Sequence, residues 1–183
     1  MIKMSYKVVV TSLITLALLA SSCSENEGSK ISGEKTFYRD LPAFFKQEVQ
    51  RLKTQEPNIQ KTVEKDKEQE TKEVQIKDWN TELSSFLNID LNKVNYQNQL
   101  QVDSTDSVII YTAINPDIDI QKVEITLDLQ GEINAIDIYK ISDNTLYKST
   151  ETLHYNKEEG YRIEKEQDIR FLGKNNYKIT GSF

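Results

Sequence analysis

From residue 97 onward, apolar residues fall at every second position between short clusters of turn formers, and this alternation constrains the fold more than any other feature of the chain. A period of two sends successive side chains to opposite faces of an extended strand, so each segment has one apolar and one polar face. The breaks are Asn115-Pro116, Gln130-Gly131, Ser142-Asp143-Asn144 and the stretches 156–160 and 173–176. Connections this short keep consecutive strands adjacent and antiparallel. The spacing predicts strands over 97–103, 106–113, 121–130, 133–141, 146–155, 161–172 and 177–183.

The faces separate cleanly along most of these strands. Val123, Ile125, Leu127 and Leu129 share one side, as do Tyr147, Leu153 and Tyr155, then Tyr161, Ile163, Ile169 and Phe171, then Tyr177, Ile179 and Phe183. Opposite them lie Thr152 and His154, the charged series Arg162, Glu164, Glu166, Asp168 and Arg170, and then Lys178 and Thr180. One face is therefore expected to be wet and the other packed. Two strands depart from this. Val108, Ile109, Ile110 and Tyr111 are consecutive, and Ile136 and Ile138 oppose Ile133, Tyr139 and Ile141, so cover on both faces is expected there.

Ahead of the strands, two amphipathic helices are legible. The first starts at Asp40, a good N-cap, with Pro42 close behind, carries Leu41, Phe44, Phe45, Val49 and Leu52 at helical spacing, and is closed by Pro57. The second starts near Asp78 and carries Trp79, Leu83, Phe86 and Leu87. Between them, alternation in Ile59, Lys61 and Val63, and again in Val74 and Ile76, flanks the charged run 64–70, which reads as a polar hairpin projecting from the domain; a continuous charged helix is the other reading. The expected fold is α+β: a curved antiparallel meander of six to seven strands with two short N-terminal helices packed on one face. A closed barrel is the alternative.

The N-terminus gives an address. Lys3 and Lys7 precede an apolar run over 8–20, and small residues lead to Cys23, the only cysteine. These are the three parts of a secretory signal, and the run is too short for a transmembrane helix, which needs about 20 apolar residues. A structural cysteine in an oxidising compartment would have a partner, and this one has none in the chain. The segment Leu19-Ala20-Ser21-Ser22-Cys23 resembles the lipobox of bacterial lipoproteins, with Ala20 where that family usually places Leu. The resemblance implies cleavage before Cys23 and a thioether from its thiol to diacylglycerol, with fatty acyl chains such as palmitate holding the protein on a bilayer. Two or three such chains hold almost permanently, because each buried methylene contributes about 0.8 kcal/mol.

The polar stretch 24–33 cannot bury apolar surface and is expected to be a flexible tether. Glu25 and Glu27 after Ser24 resemble the surface-export signal of Bacteroidota lipoproteins, which implies an outer-membrane address, facing the cell surface or else the periplasm. The expected organisation is a signal peptide over 1–22, a lipidated cysteine and tether over 23–36, and one globular domain over 37–183.

From Cys23 onward there are 161 residues, with 21 basic against 29 acidic side chains. That balance disfavours nucleic acid, whose binders concentrate basic surface, and disfavours lying flat on anionic lipid. The same stretch resembles uncharacterised lipoproteins of Bacteroidota through Trp79, Asp90-Leu91-Asn92-Lys93, Leu146-Tyr147 and the ending Tyr177-Lys178-Ile179-Thr180-Gly181-Ser182-Phe183. This resemblance implies architecture and address, and no activity.

Catalysis has little material. With Cys23 lipidated, Cys-His chemistry is excluded, and a Ser-His-Asp site would have to use His154, which alternates onto the polar face. No zinc-type ligand cluster and no glycine-rich phosphate loop is present, so no metal or cofactor is expected. Asp117 and Asp119 have alternating spacing but lack the glycine and distal glutamate of a calcium loop. Asp103-Ser104-Thr105 and Asp106-Ser107-Val108 resemble the Bacteroidota O-glycosylation pattern, and a plain turn is the simpler reading.

The expected function is a non-enzymatic binding or interaction module on the envelope, whose partners are the bilayer through Cys23 and an envelope protein. The alternative is a small-ligand carrier in which Tyr139, Tyr147, Tyr155, Tyr161 and Tyr177 line a cavity.

Overall fold

The computed structural model describes residues 37–183; Cys23, the leader before it and the tether expected over 23–36 lie outside the described residues. Helix α1 (Leu41–Gln55) begins where the capping chemistry puts it, with the Asp40 carboxylate accepting the Ala43 N–H at 2.9 Å and Pro42 in the first turn. It ends at Glu56, which adopts a left-handed φ of 43° just ahead of Pro57. The buried stripe is Leu41, Phe45, Glu48, Val49 and Leu52, which includes a carboxylate that the apolar pattern does not mark.

Strands β1 (Asn58–Lys65) and β2 (Glu68–Gln75) form the expected hairpin, but it does not project. Its first strand pairs antiparallel with β9 (Gly173–Ser182), so the sheet has nine strands instead of six or seven. The attachment has physical causes: Ile59 is wholly buried, Lys61 meets Glu82, and Val63 pairs with Ile179. The second helix is also different. Asp78 caps it as expected, yet Leu83 departs from helical angles and divides it into α2 (Trp79–Glu82) and α3 (Ser84–Leu87). Thr81, Ser84 and Ser85 are weak helix formers, and the burial of Trp79, Leu83 and Phe86 fixes the path of the chain instead.

After a 3-10 turn (Val94–Tyr96) the meander runs through β3 (Leu100–Ser104), β4 (Val108–Ala113), β5 (Ile120–Leu127), β6 (Ile133–Asp143), β7 (Tyr147–Asn156), β8 (Gly160–Ile169) and β9. All pairings are antiparallel in the order β2-β1-β9-β8-β7-β6-β5-β4-β3. The sheet is open, with β2 and β3 at its edges, so the closed barrel is not formed among the described residues.

Two bulges revise the reading of the faces. The register between β5 and β6 shifts between Ile120 and Lys122 and again between Thr126 and Leu127. The second leaves Asn134 unpaired and aligns Ile133 with Leu127, bringing Ile133 to the buried face with Ile136 and Ile138. Expected double cover of β4 is absent: Tyr111 is buried, whereas Val108 and Ile110 on the other side stay partly open. Leu129 and Phe171, expected on the packed face, are exposed because both fall in turns. At the first turn, Asp128 accepts the N–H groups of Gln130 and Glu132, ending β5 before Leu129.

The helices cover one face of the sheet, and the core centres on Tyr155. Its ring meets Phe45 edge-on at 5.3 Å and Phe86 at 5.9 Å, while Trp79 meets Phe183 at 6.1 Å. Tyr161 lies across its register partner Gly181 so closely that a Cβ there would fall 2.3 Å from the ring. Glycine in the strand marks this close approach.

Candidate functional site

Ionisable groups gather at the seam between helices and sheet, in three clusters that each join a tyrosine, a carboxylate and a cation, the third with a second carboxylate. In the first, α1 delivers Glu48 from its apolar stripe to Tyr155 on β7, whose hydroxyl donates to the carboxylate at 2.5 Å. Arg51, one turn further along α1, donates to the same carboxylate at 2.8 Å, to the Tyr155 oxygen at 3.3 Å and to the Lys157 carbonyl at 3.3 Å. In the second, α2 delivers Glu82, which accepts from the Tyr161 hydroxyl and pairs with Lys61 of β1 at 2.6 Å. In the third, Tyr96 donates to Asp119 at 2.5 Å, and Lys140 lies 3.8 Å from Asp119 and 3.3 Å from Glu151.

These arrangements suit anchoring better than proton transfer. Burial first, and the adjacent carboxylate second, push the phenols of Tyr155, Tyr161 and Tyr96 above their ordinary value of about 10. Each is a phenol donor bonded to a carboxylate oxygen. Arg51 is also shifted upward: burial works against its charge, but the bonds to Glu48 and Tyr155 outweigh that effect. Each cluster ties a helix or loop to the sheet through charge-assisted hydrogen bonds.

On the opposite face, His154 Nδ1 lies 2.7 Å from Asp137 Oδ1, with Arg162 opposite His154 in the register of β7 and β8. Beside the pair is a depression of about 80 Å³ lined by Lys122, Glu124, Asp137, Ile138, Tyr139 and Thr152. The lining supplies two acids, an amine, a phenol and the Thr152 hydroxyl.

The five tyrosines considered for a ligand cavity are not gathered around one. Tyr155 and Tyr161 are buried against the helices, while Tyr139, Tyr147 and Tyr177 are each more than a third exposed. Asp119 is engaged by Tyr96 and Lys140, and Asp117 sits in a turn where its N–H donates to Asn115. The two Asp-Ser/Thr tripeptides flank the β3–β4 turn, closed by bonds between Thr105 and Val108. Among the described residues, no three or more His, Cys, Asp and Glu side chains are grouped to hold a metal ion. Cys23, the site residue named from the sequence, lies outside the described residues.

The sequence reading missed Arg51, Glu82, Tyr96, Lys140 and Glu151 of these clusters, and with them their most buried carboxylate, Glu48. Its signal was present: it stands three residues after Phe45 and seven after Leu41, on the buried stripe. No protein-family model, curated protein or solved structure matches this chain.

Proposed function

We propose that this chain is a lipid-anchored protein of the bacterial cell envelope whose domain is a non-enzymatic binding or interaction module. The observation that carries the reading is the segment Leu19-Ala20-Ser21-Ser22-Cys23 behind a short basic and apolar leader. The domain's construction supports a binding role. Aromatic and aliphatic side chains fill the space between helices and sheet, and the polar groups at that seam hold one another. What the domain offers outward is the far face of a nine-stranded sheet and its turns. Ser24, Glu25 and Glu27 favour the outer membrane and, on it, the cell surface.

Metabolic labelling with a fatty acid tests the anchor. Wild type should incorporate label and Cys23→Ala should not; label retained in the variant, or absent from both, overturns the proposal. Protease added to intact cells tests the address. A surface domain is cleaved, whereas a periplasmic one survives until the outer membrane is permeabilised.

A further inference from the structure

The turns β6–β7 and β8–β9 meet at one end of the sheet, where the Arg170 N–H donates to the Leu146 carbonyl at 2.9 Å. Together they present Leu146, Phe171 and Leu172, at 70, 93 and 78% exposure. Three large apolar side chains on adjoining turns form a patch, unlike the single exposed apolar residues of an ordinary surface.

The patch is held out by the backbone. Phe171 has a φ of +75°, a region that bulky residues rarely occupy. Asn144 accepts the N–H groups of Leu146 and Tyr147, and the Leu172 N–H closes the second turn onto Ile169. Strain of this kind persists where surrounding structure enforces it, and it concentrates at sites that bind.

Charged side chains flank the patch. Arg170 lies over the Phe171 ring at 5.4 Å, Lys174 at the start of β9 stands opposite Asp168 of β8, and Lys148 at the start of β7 pairs with Asp143 at the end of β6 at 3.1 Å. Aromatic and leucine side chains with an arginine against them match the boundary between phosphate headgroups and acyl chains. Three cations against Asp143 and Asp168 leave this tip less acidic than the chain as a whole, so contact with phosphate headgroups is less disfavoured here.

We propose that the paired turns carrying Leu146, Phe171 and Leu172 insert into the headgroup boundary of the bilayer and set the domain end-on to the membrane. The proposal rests on the lipid-anchor reading for its geometry. Residues 24–36 span up to roughly 45 Å when extended, more than the roughly 36 Å length of β6, so the tether leaves either end of the sheet free to reach the surface.

The chain from Cys23 onward, coupled through its only thiol to maleimide lipid in anionic phosphatidylglycerol vesicles, places the tether correctly whether or not cells acylate it. Phe171→Trp supplies a reporter, with Leu172→Trp as a second in case the first perturbs the turn. The sole native tryptophan, Trp79, is 1% exposed and gives a constant background. Leu129→Trp, in the β5–β6 turn at the opposite end of the sheet, is the control. The tip reporters should shift to the blue and lose severalfold intensity to brominated acyl chains, while the Leu129→Trp signal stays unquenched. Tip reporters that remain red and unquenched, as for a tip that docks on a protein, overturn the proposal, as does equal quenching at both ends. Failure of fatty-acid labelling in cells, with quenching intact in the coupled chain, removes the anchor reading and leaves the tip's lipid affinity standing.

Discussion

Glu48 shows how much one side chain can hold. The residue is 4% exposed and its carboxylate accepts from both Tyr155 and Arg51, so removing it strands a buried hydroxyl and leaves a guanidinium without its counter-ion. An uncompensated partner costs more than the bond itself contributes. Glu48→Ala should therefore destabilise the domain by about 3 kcal/mol, measured by denaturant unfolding. Glu48→Gln, which keeps an acceptor for Tyr155 and loses the charge, should fall between the variant and wild type. The pattern of apolar residues located the stripe without revealing this carboxylate, because hydrophobic periodicity reads volume and polarity and is silent on which polar group has a partner waiting across the core.

At the scale of elements, the seating of α2 depends on Trp79, which is buried against Phe183 of the segment following β9. Trp79→Ala should cost about 3–5 kcal/mol, the usual range for a large buried aromatic. A denaturation midpoint near wild type would show that α2 is held by its polar bonds alone. The seven strands of the meander were legible because alternation and turn residues are local signals. Attachment of β1 to β9 was not, since β1 has only Ile59 and Val63 as apolar residues on its covered side, and the Lys61–Glu82 pair between them depends on where α2 lies. The bulge at Asn134 was equally hidden: one extra residue reverses the face of Ile133, and no composition cue marks it. Phe171 and Leu129 misled for a related reason, continuing an alternation past the point where a turn had already begun.

For the whole molecule, the three tyrosine clusters make stability depend on alkaline pH. Tyr155, Tyr161 and Tyr96 have raised phenol pKa values when folded, so the unfolded chain loses these protons first as pH rises. The stabilisation is complete below about pH 10 and declines above it, at about 1.4 kcal/mol per pH unit for each phenol held neutral. Tyr96 should contribute less, being nearer solvent and more screened. Unfolding free energies measured across the alkaline range should fall steeply, and the slope should flatten in a Tyr155→Phe, Tyr161→Phe double variant. A slope unchanged in that variant would place the alkaline sensitivity elsewhere.

The pairing of β1 with β9 joins segments about 120 residues apart, and such distant partners form late. For a chain exported as proposed, the first strands emerge long before the last. Until β9 arrives, Ile59 and its neighbours have no sheet to join. The topology thus leaves the β1–β2 hairpin waiting on the ribosome's later output, and the sheet gains its last two strands only once β9 has been made.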